Sequence, residues 1–497
     1  MKKIINVFII SVLFASSGIA QNTTVKNIAM DKFTRQWIEI QFLQEQGLPK
    51  SLLPKVDSIY QSALAEKNYE QVLKAIIFQV NSMGILEDND DAANKIFNTL
   101  KNDAEILPQP AKSVIYSMIA QMYEEYYNLN RWKVNERTYI QSDRSDVKTL
   151  DARSLAEETI RYYELSIQDE NSLQNAPVGN YGAILQEGAN DHKAQPTLFD
   201  LLINRALKYY DSEWNIHTLP QQAFVINDER YFSPAEEFVS IDIQPVDSLS
   251  PQYLSLKSYQ RLLRFHLEKE DSPEALINND LQRISYLKQK GRFADNEKLY
   301  ENALIQMGKD YEKYDAGAQA LLYLADYYYQ QGDRWRYDRK NDYKSGFYKA
   351  YELAETIRKK SSGELAKTAE SMIKALKNKE LEVKFESVQL PNKPFLALMK
   401  FRNIGVLYQT VYKLTEEEAL EYQFDYHKYG ESYEFMISIF IDSLKTKPTV
   451  SAVSLPKHTD FQRYTTEIKI DPKEKGFYLI LFSDGENALE SDIFNAN

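Results

Sequence analysis

The chain has 497 residues, 43% hydrophobic and 12% aromatic, with a formal net charge of −12 and no cysteine. That length exceeds a single core, and that composition excludes an intrinsically disordered chain. The acidic balance argues against nucleic acid and against flat adsorption on anionic lipid. The missing thiol removes disulfides, cysteine-ligated metals, thiol nucleophiles and a lipoprotein anchor.

Residues 1–20 read as a signal peptide. Lys2 and Lys3 form a basic start, and Ile4 to Phe14 is an apolar run too short for a stable membrane anchor. Gly18-Ile19-Ala20 is a small-residue cleavage pattern, so Gln21 is the expected first mature residue and the expected charge moves from −12 to −14. The reading is of an exported protein, periplasmic or extracellular, without a membrane span.

Residues 21–245 read as the first part of a helical array with long inserts. A first helix runs from about Ala29 to Gly47 with Phe33, Trp37, Ile40 and Phe42 as its apolar residues, stopped by Gly47 and Pro49. A second runs from Leu52 to about Glu66. In the third, Tyr69, Val72, Leu73, Ile76, Ile77 and Val80 recur at helical spacing, with Gly84 at the expected C-cap. The stretch Ala63 to Ala75 resembles the second helix of one tetratricopeptide-like pair and its neighbour. Helices are expected at Asp91–Asn102, Ala111–Tyr127, Ala152–Gln168 and Leu198–Tyr210, with a long polar loop over Asn128–Lys148. Asn175–Gln195 reads as an irregular connection with a short helix at Tyr181–Gln186. Leu219–Pro245 reads as an insert in which Ser233-Pro234-Ala235-Glu236 is a capping box.

Residues 246–379 read as the second part of the array. Ser250-Pro251 and Ser272-Pro273 each set a serine N-cap before an N1 proline. Helices are expected at Pro251–Glu268, Pro273–Lys290, Ala294–Tyr311, Gly317–Gln331, Tyr343–Lys360 and Glu364–Asn378, with Gly291 and Gly332 closing two of them. Short turns between such helices imply antiparallel pairs stacked into a solenoid. Tyr126-Tyr127 before Arg131-Trp132 echoes Tyr328-Tyr329 before Arg334-Trp335, without a strict repeat. The 35 tyrosines read as fillers of the gaps between helices.

Near Lys379 the apolar period changes from 3.6 to two, as Leu381, Val383 and Phe385 alternate with Glu382, Lys384 and Glu386. Residues 380–497 therefore read as a β-sandwich. Its strands are expected at Leu381–Val388, Phe395–Arg402, Leu407–Thr415, Tyr433–Asp442, Arg463–Ile470 and Gly476–Ser483. The tail from Asn487 shows no turn signal, which fits a chain that continues.

No reactive constellation is legible. His192, His217, His266, His427 and His458 lack metal-ligand or base spacing. His266-Leu267-Glu268 matches the start of a deaminase motif whose cysteines are missing. Ser-x-x-Lys at Ser285, Ser371 and Ser454 lacks the companion motifs of acyl enzymes. Asp88-Asn89-Asp90-Asp91 lacks the glycine and glutamate of a calcium loop and reads as a helix cap. Arg358-Lys359-Lys360 reads as a complement to a helix C-terminus. Accordingly no catalytic, cofactor-binding or metal-binding residue is nominated, and no cofactor is expected.

Two groups of segments carry a resemblance. One is Gly47-Leu48-Pro49-Lys50-Ser51, Tyr69 to Val80, Asn130-Arg131-Trp132, Tyr163 to Ile167, Pro196 to Asp200 with Arg205-Ala206-Leu207, and Phe232 to Phe238. The other is Asn392-Lys393-Pro394-Phe395, Phe401-Arg402-Asn403, Leu407-Tyr408 and Gly476-Phe477-Tyr478-Leu479-Ile480. Their order resembles the N-terminal region of large exported bacterial alpha-2-macroglobulin-like proteins. The resemblance implies helices before a first macroglobulin-type β-sandwich, and a role in endopeptidase inhibition by protease trapping. The chain lacks the family's Cys-x-Glu-Gln thioester, bait segment and further sandwiches. It therefore looks like the non-catalytic front of such a protein. Expected partners are proteins, either proteases or the remaining domains. Two alternatives stay open: an independent helical-repeat scaffold that binds proteins, and a cell-surface glycan-binding protein.

Overall fold

The computed structural model describes residues 32–86, 91–138, 144–185, 191–212, 224–245, 247–269, 273–338, 341–386, 389–425, 433–491 and 493–496. The signal peptide, Asp88-Asn89-Asp90, His217, Ser272 and His427 lie outside them. The chain is mostly helical and ends in small antiparallel sheets. It divides into two compact units, 1–303 and 304–497.

The first unit opens with α1 (Lys32–Glu45), α2 (Pro49–Ala65), α3 (Tyr69–Leu86), α4 (Asp91–Ile106) and α5 (Ala111–Asn135). Next come α6 (Ala152–Ser166), α7 (Glu170–Gln174), α8 (Asp191–Ala194), α9 (Leu198–Asp211) and α10 (Ala235–Phe238). It continues through α11 (Pro251–Glu268), α12 (Pro273–Lys290) and the start of α13 (Asn296–Asp310). Successive long helices pack on their neighbours in the chain. Each offers an apolar stripe, so one core runs from Phe33 to Phe265. Tyrosines fill this core: Tyr123 stacks on Tyr162 with ring centroids 5.8 Å apart, and Tyr163 lies 5.4 Å from Tyr209.

Gly47 closes α1 in the left-handed region, at φ +66°, which lets its amide and that of Leu48 bond back to Gln44 and Leu43. Gly84 does not cap α3, which runs on to Leu86. The expected loop after Tyr127 is helical to Asn135, because Val134 is buried and extends the stripe. The short helix expected at Tyr181 is instead a 3-10 turn, Val178–Tyr181. Ser233 lies one residue ahead of the cap: α10 starts after Pro234 without a side-chain cap bond, and the Ser233 carbonyl is taken by Arg283. Ser250 does occupy the N-cap of α11, yet its hydroxyl donates to Gln252 Oε1 at 3.1 Å and caps no amide.

The second unit holds the rest of α13, then α14 (Gly317–Asp338), α15 (Asn341–Lys344), α16 (Gly346–Lys360) and α17 (Gly363–Lys377). Gly332 does not end a helix. It lies inside α14, where its bare backbone receives Gly346. Strands follow directly: β1 (Glu380–Phe385), β2 (Phe395–Arg402) and β3 (Val406–Leu414). After α18 (Glu416–Asp425) and α19 (Tyr433–Ser443) come β4 (Thr449–Ser454), β5 (Tyr464–Ile470), β6 (Phe477–Ser483) and β7 (Phe494–Ala496).

Among the described residues these strands form two antiparallel sheets, ordered β1-β2-β5 and β4-β3-β6-β7. The pleat explains the layers. Ala397, Met399 and Phe401 of β2 alternate inward and meet Leu407, Val411, Ile480 and Phe482 of the other sheet in one core. The opposite side chains of β6, Leu479 and Leu481, pack on α18 and α19 through Tyr422, Ile437 and Phe440. The β3–β6 centre of the four-stranded sheet is thus covered on both faces, and β6 reads as a continuous apolar run for that reason.

The strand expected at Tyr433–Asp442 is α19. Ile437, Phe440, Ile441 and Leu444 fall at i, i+3, i+4 and i+7, so the helical period outweighs the β-branched and aromatic composition. The tail is also structured: Asn487 caps a 3-10 turn, and β7 pairs with β6.

Candidate functional site

Within the second unit, α13, α14 and α16 leave a cavity of about 430 Å³, a volume within the range of small-ligand sites. Leu321, Leu324, Leu353 and Ile357 line it with apolar surface, and Lys309 and Lys313 sit among its polar residues. Glu312 pairs with Lys360 at 2.8 Å beside it. Gly308 sets its depth, because a Cβ there would meet Leu321 Cδ2 at 2.8 Å. Thr356 bonds back to the Glu352 carbonyl at 2.9 Å. The cavity offers apolar contact and charge, without a hydroxyl held by a base.

Three buried polar clusters of the first unit tie its helices and turns together. Thr197 and Asp200 make a capping box at the start of α9: Thr197 N and Oγ1 donate to Asp200 Oδ2 at 3.1 and 2.7 Å. The other oxygen, Oδ1, lies 2.6 Å from His266 Nε2 of α11. His266 is therefore a buried link between two helices, with its ring beside Phe265. Arg283 of α12 is fully buried and holds Asp280 at 2.7 Å. It also donates to the carbonyls of Tyr231 and Ser233, and stacks over Phe238. Burial pushes the Asp280 carboxyl up while the guanidinium pulls against it. Glu158 is buried between Arg144, at 2.9 Å, and Arg161, at 2.6 Å. Burial would raise its carboxyl, but the two guanidiniums outweigh that and hold it below the usual range.

One carboxyl, Glu125, is shifted toward neutrality by its surroundings. Ser117, Gln121, Glu124 and Glu125 share a stripe of α5 opposite Arg205 of α9. Arg205 donates to Ser117 Oγ at 2.8 Å and to Gln121 Oε1, and Gln121 in turn donates to Glu125 at 2.7 Å. Burial pushes the Glu125 carboxyl up to about 7. The Gln121 bond opposes this, and the adjacent Glu124, itself raised by burial, adds to it.

A carboxyl raised in the folded state contributes stability that is present below its unfolded range and lost as pH rises through the folded value. Glu125→Gln should therefore stabilise the first unit at pH 8 by up to about 3 kcal/mol and change little at pH 4.5. Thermal melts of both proteins at the two pH values check this. An equal shift at both would assign the effect to packing.

The remaining sequence candidates stay apart. His458 stacks on Tyr464 with ring centroids 3.4 Å apart, on the surface of the second unit. Ser285 Oγ is buried without a bond, Ser371 Oγ bonds back to the Lys367 carbonyl, and Ser454 is exposed in β4. Arg358 pairs with Glu355 in the last turn of α16. Of the tyrosine–tryptophan echo, Trp132 is 82% exposed on α5, whereas Trp335 is half-buried on α14. Among the described residues no three His, Asp or Glu side chains converge as metal ligands, and no helix is long and apolar enough to cross a membrane. Sequence reasoning missed the Asp200–His266 link, although Thr197-x-x-Asp200 carried the spacing of a capping box. The sequence matches no protein-family profile and no curated protein.

Proposed function

We propose that the chain is the non-catalytic N-terminal portion of an exported alpha-2-macroglobulin-like protein and serves protease defence by holding protein partners. The observation that carries this reading is the second unit's pair of antiparallel sheets around one core, directly after helices. The position of the resembling segments at turns and strand starts supports the reading. Asn392, at φ +61°, turns the chain before Lys393-Pro394 and β2, and Gly476-Phe477-Tyr478 opens β6. A tetratricopeptide-like solenoid and a macroglobulin-type sandwich are the finer forms of these helices and sheets. Without cysteine the chain has no thioester of its own, so covalent capture falls to another polypeptide or another part of the protein.

The test is affinity capture with the immobilised mature chain from an envelope extract treated with a fluorescent amine. Recovery of an amine-labelled polypeptide carrying Cys-x-Glu-Gln, or of a secreted protease, supports the reading. Sustained turnover of hydrolase substrates by the purified chain would sink it.

A further inference from the structure

The sheets of the second unit have four edge strands among the described residues: β1, β5, β4 and β7. Edge strands expose a row of unpaired amides and carbonyls, and proteins usually guard them with charge, proline or brevity. β1 carries Glu380, Glu382 and Lys384, and β5 carries Glu467 and Lys469. β7 spans only Phe494–Ala496. β4 is different. Its sequence, Thr449-Val450-Ser451-Ala452-Val453-Ser454, has no charge, and only Val453 is less than exposed. One side pairs with β3, from Val406 opposite Ser454 to Val411 opposite Thr449. The other side meets no strand among the described residues. Pro448 and Pro456 bracket this edge and confine further pairing to β4 itself.

We infer that β4 is a self-association edge that pairs antiparallel with β4 of a second copy of this chain. The pattern of the strand favours a copy of itself. Around a two-fold axis normal to the sheet, facing residues must lie on the same face, so the axis lies midway between the two copies of one residue. With Ser451 on the axis, Val450 of one copy faces Ala452 of the other, and Thr449 faces Val453. Aliphatic meets aliphatic and β-branched meets β-branched, the pairings that stabilise neighbouring strands. With Ala452 on the axis, Val450 would face Ser454 and Ser451 would face Val453, which mixes polar with apolar. The register on Ser451 is the one assigned. It joins two four-stranded sheets into one continuous sheet, and no charge is buried. It asks nothing of the proposed function.

The cysteine-free chain makes the test direct. Opposed residues at the axis have Cα atoms about 4.5–5.5 Å apart, within reach of a disulfide. Ser451→Cys in the full mature chain should give a covalent dimer on mild oxidation, and Lys469→Cys on β5 should stay monomeric. Ser451→Lys and Ser451→Glu should each weaken the dimer at least tenfold in sedimentation experiments, and an equal mixture should restore it. Unchanged thermal melts would show that both variants fold. The inference is overturned by a chain that stays monomeric at high concentration. A dimer indifferent to both charges, or an edge that only an unrelated extended peptide occupies, overturns it as well.

Discussion

Arg283→Met should destabilise the first unit by about 3–5 kcal/mol, the range for removing one partner of a buried ion pair. The loss has three sources. Asp280 would remain fully buried without its guanidinium, 2.7 Å away in the native chain. The carbonyls of Tyr231 and Ser233 would lose their donor. Phe238 would lose the cation over its ring. The effect should reach beyond α12, because these contacts fasten the segment Tyr231–Phe238, whose regular structure is limited to the end of a 3-10 turn and the single-turn α10.

A pH signature separates charge from packing. Burial already pushes Asp280 up, and Arg283 is the group that opposes that push. A carboxyl raised in the folded state loses its stabilising share as pH rises, so the variant should be weakest in alkali and partly recover toward pH 5. Asp280→Asn added to Arg283→Met should restore part of the loss, since the pair is then replaced by neutral groups. Denaturant melts of both variants at pH 5 and 8 measure this. A single variant within 1 kcal/mol of the parent would show that the guanidinium is not holding the insert.

How much of this was legible depends on whether the controlling signal is local. The change of period at residue 379 is local, and α17 gives way to β1 there. Gly47 and Gly291 were readable as helix ends because a cap is a matter of a few neighbouring residues. The strand expected at Tyr433–Asp442 follows from β-branched and aromatic composition, whereas the spacing of Ile437, Phe440, Ile441 and Leu444 gives the helix. That spacing was present in the sequence, and so was the capping box at Thr197. Other features were not recoverable. His266 meets Asp200 across 66 positions, and Arg283 reaches Tyr231 across 52. No periodicity reports such distances. The bare edge of β4 was invisible too, because a short stretch of Thr, Val, Ser and Ala signals neither an edge nor a centre until its neighbours are known.

Gly332 shows the same limit from the other side and leads to the second large effect. In the sequence it resembles a helix stop, yet it serves as a contact. At Gly346 an added Cβ would come within 2.5 Å of both the Gly332 amide nitrogen and the Tyr328 carbonyl oxygen. At Gly332 it would come within 2.5 Å of the Phe347 ring and 2.7 Å of the Phe347 amide nitrogen. At Gly346 the crossing of α14 and α16 is therefore backbone on backbone, and at Gly332 the Phe347 ring and amide close it. The same carbonyl row is engaged from the sheets, where Gln462 donates to the Gly332 oxygen at 3.0 Å. A methyl group that separates the helices should loosen that bond as well. Gly346→Ala is expected to destabilise the second unit by about 3 kcal/mol, the upper end for overpacking a close contact. Gly405→Ala is the matched control, since the nearest atom to its added Cβ is Lys457 Cε at 3.8 Å. Thermal melts of the two variants decide the matter: equal stability would mean that the helices can part by a few tenths of an ångström without loss, and a large gap would identify the glycine pair as the fixed point of that helical hairpin.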